Sequence, residues 1–159
     1  VNGEADVAVT YEPFMTPALL KTGGNKIYSS ADAPGLITDV LTFHTDFIHK
    51  NPETIQAIIE AYFKALQFWK DHPEEAHTII AKYIGTTADQ VSSQIQGMAV
   101  LDERDNLTAF TFAIGRGSLY GNMRDTGEFV QKRLLTDGAA KNIDTDTLIE
   151  PHFIKMLFR

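Results

Sequence analysis

The strand candidates of this 159-residue chain are crowded into its first 43 residues, and that placement limits what the chain can fold into. Asp6-Val7-Ala8-Val9-Thr10-Tyr11 is a short run of β-formers closed by Glu12-Pro13, and a helical stretch from Phe14 to Lys21 follows before Gly23-Gly24. A second run near Lys26 to Ser29 leads into Ala33-Pro34-Gly35, and Ile37 to Phe43 reads as a third. Two or three strands against five or six helices predict an α/β chain, helix-rich towards its C-terminus, with a sheet of few strands. So small a sheet further predicts that strands are missing, and with them an N-terminal half of the same protein.

Helical signals dominate the remainder. Asn51 and Pro52 suit the start of a helix whose Ile55, Ile58, Ile59, Tyr62, Leu66 and Trp69 recur on one face. A second helix starts near Pro73, carries Ile79, Ile80 and Tyr83 on its apolar side and stops at Gly85. Thr87 and Gln90 have capping-box spacing ahead of Val91 and Ile95, with Gly97 as the stop. Leu101 to Phe112 reads as irregular or weakly extended. A long helix is predicted from Ser118 to Thr136 with Gly138 as its stop, and a short terminal one from His152 to Leu157.

Composition narrows the functions. The net charge of -7, with 14 basic residues scattered singly or in pairs such as Lys132-Arg133, offers no electropositive stripe for nucleic acid. No apolar run approaches the roughly 20 residues a membrane span needs, so the chain is predicted not to span a membrane, and its start lacks a leader pattern. The absence of cysteine excludes disulfides, thiolate metal sites and thiol nucleophiles.

Metal and catalytic constellations fare no better. His72 and His77 stand five apart, whereas a ligand pair on one helix face stands three or four apart. Asp102, Glu103 and Asp105 lack the spacing of a calcium loop and read as a solvated turn, and Asp144-Thr145-Asp146 reads as a cap for the terminal helix. Gly115-Arg116-Gly117 lacks the rest of a phosphate fingerprint. With no nucleophile elbow and no placed pair of carboxylates, no catalytic residue, no metal site and no cofactor is expected, and the chain is read as a non-enzyme.

The most informative group is Thr10-Tyr11-Glu12-Pro13, a hydroxyl, an aromatic ring and a carboxylate leaving the end of a strand candidate. Ligands of open α/β sheets bind outside such ends. The carboxylate suits a cationic or amine-bearing ligand, and the ring can add a cation–π contact of about 1 kcal/mol. A competing reading makes this corner a plain turn with Glu12 stabilising a helix dipole, and the residues alone favour the turn.

Gly3-x-x-Asp6-Val7-Ala8-Val9 followed by Tyr11-Glu12-Pro13 resembles a motif of periplasmic solute-binding proteins of the nitrate, sulfonate, taurine and thiamine-precursor type, the SsuA-like and NMT1-like group. Pro34 to Leu41 looks like the family's return strand, Phe47-Ile48 through Asn51-Pro52-Glu53 like its following helix start, and Trp69 to Ala76 like a later helix junction. Asn106 to Phe110 and Leu148 to Leu157 fit in the same order. The resemblance implies the C-terminal portion of a type II periplasmic-binding-protein-like fold, with residues 1–36 ending a second lobe and residues 37–159 crossing back into the first. It implies a periplasmic or extracytoplasmic substrate-binding component of an ATP-binding-cassette importer. Such a component grips a small organic solute (sulfonate, taurine, nitrate or pyrimidine-like) between lobes and hands it to a permease. Thr10, Tyr11 and Glu12 would then face the solute, with Thr38 and Asp39 at the crossover. A ligand-sensing ectodomain or a pyrimidine-precursor-synthesis relative is the alternative on the same fold. A helical interaction domain using Tyr62, Phe68 and Trp69 is a further one.

Overall fold

The computed structural model describes residues 4–12, 14–113, 117–133 and 144–159. Among the described residues, eight α-helices and two 3-10 turns follow one another: α1 Met15–Thr22, a turn at Ser30–Asp32, α2 Thr45–Lys50, α3 Pro52–Asp71, α4 Pro73–Ile84, α5 Ala88–Ile95, α6 Glu103–Ala109, α7 Leu119–Arg133, a turn at Thr145–Leu148, and α8 His152–Met156.

The α/β expectation is corrected: among the described residues there is no strand, and the chain is a helical assembly. The three β-rich runs are present but unpaired, because no backbone ladder joins them to one another. A helix closes its hydrogen bonds within itself, whereas a strand exists only when a neighbour supplies them. High β-propensity describes fit to a pleated, half-buried surface, and these runs meet no such surface. Their side chains accordingly face water, with Val9, Ile27 and Ile37 all more than three-quarters exposed.

The helices are set by local chemistry that matches much of the sequence reading. Pro52 and Pro73 occupy first-turn positions of α3 and α4, where a missing N–H costs nothing. Gly23 and Gly85 close α1 and α4 at φ +64 and +75, a left-handed conformation that strains any residue with a Cβ. Thr87 accepts a hydrogen bond from the Gln90 N–H at 3.3 Å, one half of the anticipated box, while the Gln90 side chain turns instead to the Thr86 hydroxyl.

Two parts of that reading need correction. The segment Leu101 to Phe112 is not irregular: Asp102 and Asp105 form a complete capping box that starts α6. The apolar face of α3 holds in part, with Ile59, Leu66 and Trp69 half-buried as expected beside Ile55, whereas that of α4 is rotated. Ile55 and Phe63 are buried on α3 and Ala76 and Ala81 on α4, while Ile58, Tyr62, Ile79 and Tyr83 are exposed.

The helical body is built around α3, which packs on α2, α4 and α8, while α5 packs on α4 and α6 on α8. Ile55, Phe63, Ala76, Ala81, Val91, Phe153 and Ile154 form its interior. A second cluster gathers on α7, where Ser118, Tyr120, Gly121 and Asn122 are buried. Arg124 reaches the Thr145–Leu148 turn with an Nε–Oδ1 distance of 2.9 Å to Asp146, and its guanidinium lies 4.5 Å from the Phe112 ring centre. The predicted continuation of α7 to Thr136 and its stop at Gly138 lie outside the described residues, as do Pro13, Gly115 and Arg116. No helix among the described residues is long and apolar enough to cross a membrane.

Candidate functional site

The corner at residues 10–16 shows how a turn and a presented ring coexist. The Tyr11 carbonyl accepts the Phe14 and Met15 N–H groups at 2.9 and 3.0 Å, which starts α1. The Glu12 carboxylate accepts the Thr16 hydroxyl at 2.6 Å and the Thr16 N–H at 3.3 Å. Glu12 thus satisfies a free donor of the first helical turn and places negative charge at the positive end of α1. A carboxylate has about four acceptor positions, so two bonds leave capacity for a donor from outside. Tyr11 stands 72% exposed with its ring edge-on to Phe14 at 5.6 Å, and Thr10 beside it is exposed.

Thr38 and Asp39 occupy a different setting. The Thr38 hydroxyl donates to the Gly35 carbonyl at 3.2 Å and accepts from the Asn122 side-chain amide at 3.1 Å, so it is anchored to α7. Asp39, the next residue, is exposed and has no hydrogen-bond or ion-pair partner among the described contacts. Within the described residues, no hydrogen bond, ion pair or ring contact joins the Thr10–Glu12 corner to Thr38–Asp39. The structure describes two separate presentations of polar groups, one carboxylate in each.

Two open grooves among the described residues lie elsewhere. One of about 380 Å³ runs between α3 and α6, past Phe63, Lys64, Lys70, Asp102 and Arg104. Another of about 300 Å³ lies between α3 and α8, past Glu53, Gln56, Glu60, His152 and Phe153. Neither includes any of the five anticipated site residues.

The remaining polar clusters have structural duties. Hydrogen bonding from the Asp105 N–H, aided by the Arg104 N–H and the Lys70 charge, holds the Asp102 carboxyl below its usual range despite some desolvation. The side-chain hydrogen bond to Asp146 holds the Arg124 guanidinium above its usual value. His72 lies against Phe68 at 5.0 Å between ring centres, and His77 meets Trp69 edge-on at 6.0 Å, so both are packed on aromatic rings. No group of three or more His, Asp or Glu side chains among the described residues is placed to hold a metal.

Two residues have roles that the sequence reading did not give them: Asp102, read as part of a solvated turn, caps α6, and Asn122 holds Thr38. Asp102 carried a usable signal, since Asp102-x-x-Asp105 is a capping-box spacing. Asn122 carried none, because its partners lie 84 and 87 residues earlier.

No curated protein and no solved structure matches this sequence. The sequence model of the NMT1-like family does match, over residues 2–85, a span that contains Thr10, Tyr11, Glu12, Thr38 and Asp39 together with α1 to α4. Because that match covers more than half of the chain, this protein belongs to the NMT1-like family.

Proposed function

We propose that this chain serves as the solute-binding component of an ATP-binding-cassette importer, taking up a small organic solute outside the cytoplasm and passing it to a permease without catalysing a reaction. The observation that supports this most is the family match over residues 2–85, since that span contains the Thr10–Glu12 corner together with Thr38 and Asp39. In this reading the Tyr11 ring covers one face of the solute, Glu12 and Asp39 receive its donor groups, and Thr10 adds a hydroxyl. Two carboxylates favour a solute bearing an ammonium or amino group, as taurine and aminopyrimidines do. A conformational response follows if the solute contacts the bound form better than the free form, since a ligand shifts an equilibrium only by its differential affinity.

Native mass spectrometry of the full-length protein, purified without refolding, tests the reading. A stoichiometric adduct with the mass of a sulfonate, an amine-bearing sulfonate or a pyrimidine is expected. An adduct-free protein that also gives no calorimetric heat with taurine, nitrate or an aminopyrimidine would overturn it.

A further inference from the structure

Asn122 sits in the first turns of α7, a place where solvent-facing residues are ordinary, yet it is only 7% exposed. Its side-chain nitrogen donates to the Gly35 carbonyl and to the Thr38 hydroxyl, and the same hydroxyl donates to the same carbonyl. Three groups therefore close on one another across two parts of the chain. Gly35 holds φ +80, a conformation open to glycine and strained for other residues, so the turn that offers its carbonyl is built for that approach. Ala33 on the same segment is buried, as are Ser118, Tyr120 and Gly121 beside Asn122. The Asn122 carbonyl oxygen is buried with no hydrogen-bond partner. An apolar side chain would fill that space without leaving a polar atom unsatisfied, so the amide is explained by its two donor bonds.

We propose that Asn122 is a positioning residue, an amide latch that fixes residues 35–38 on α7 and thereby sets the direction in which Asp39 meets solvent. Thr38 belongs to the latch, and its hydroxyl is occupied by it. Asp39 is left as the free group of the pair. The latch stands on geometry alone, while its bearing on solute capture rests on the function proposed above.

Hydrogen–deuterium exchange on the full-length protein tests the latch without any ligand. Asn122→Ala and Thr38→Val should each raise exchange at the Ala33 and Leu36 amides, which donate to the Ser30 and Ala33 carbonyls, by tenfold or more, with α3 exchanging as in the wild type. Thr38→Ser keeps the hydroxyl and should restore the protection. Unchanged exchange in Asn122→Ala, an equal rise throughout α3 to α5, or a Thr38→Ser protein that behaves as Thr38→Val would each overturn it.

A second arm uses calorimetric titration with taurine, whose ammonium group suits Asp39. Asn122→Ala should weaken taurine binding at least threefold, and Asp39→Asn added to it should bring less further loss than Asp39→Asn brings alone. A loosened segment with taurine affinity intact would overturn the positioning role and leave the latch. A wild-type protein that ignores taurine would count against the solute reading and the positioning role together, while exchange still decides the latch.

Discussion

Residues 4–12 and 14–44, taken together, and the helical body built on α3 are both supplied with apolar side chains, and they use them in opposite ways. On the body, Ile55 and Val91 are almost fully enclosed at 1% and 2% exposure. Before α2, Ala33 is the single buried residue among those described, while Leu20, Ile27, Tyr28 and Ile37 stand in water. Enclosing a side chain such as Ile or Leu is worth about 1.5–3 kcal/mol, so the body collects a stabilisation that the first region forgoes. The lesson is a division of labour: the body supplies the fold, and the first region supplies the presented groups of the candidate site.

That contrast can be broken most easily with truncations. Ile55→Ala leaves a cavity in the body and should cost about 2–5 kcal/mol of unfolding free energy, read from denaturant titration. Val9→Ala and Ile27→Ala remove side chains that touch water and should stay within about 0.5 kcal/mol of the wild type. A large loss at Ile27 would show that the first region hides apolar surface after all.

Capping sharpens the comparison within the body. Thr87→Ala removes the hydroxyl that accepts the Gln90 N–H, and should cost about 1 kcal/mol, with faster amide exchange confined to the first turn of α5. Thr87→Ser should hold that turn at wild-type exchange.

The smallest effect expected is one of pH. The Asp102 carboxyl lies below its usual value of 3.8 because the charged form accepts N–H groups of α6. Its contribution is therefore present above about pH 4 and fades as pH falls through the lower value of the folded state. Amide exchange of α6 measured between pH 6 and pH 3 should show this loss, after correction for the intrinsic rate. Asp102→Asn should flatten the pH dependence, and a slope unchanged by that substitution would remove Asp102 from the account.

What was legible in the sequence follows the range of the interactions. Helix ends were readable because Pro52, Pro73, Gly23 and Gly85 act on their own backbone, and no distant residue can override them cheaply. Strands were not, because Val7, Val9, Ile37 and Leu41 carry β-propensity without carrying a partner, and pairing is decided elsewhere in the chain. The centre of the α3 face was readable in Ile55, Ile59, Leu66 and Trp69, but its edge was not: Phe63 is buried, while Ile58 and Tyr62 are exposed. A helix of mixed apolar residues has more than one stripe that can turn inward, and packing against α4 and α8 selects among them. The candidate site divides along the same line. The Glu12 cap is local and was weighed from the sequence, whereas the Asn122 contact with Thr38 spans 84 residues and is visible only in three dimensions.

The central claim is that the exposed corner of Tyr11 and Glu12 grips a solute, in addition to starting α1. Calorimetric titration of the molecule recovered with the full-length protein, into the wild type and into Glu12→Gln, addresses it directly. Gln keeps an acceptor oxygen for Thr16 and removes the charge, so α1 should persist while affinity for an amine-bearing solute falls tenfold or more, about 1.4 kcal/mol. Equal affinity in the two proteins would contradict the claim and leave Glu12 as a helix cap alone.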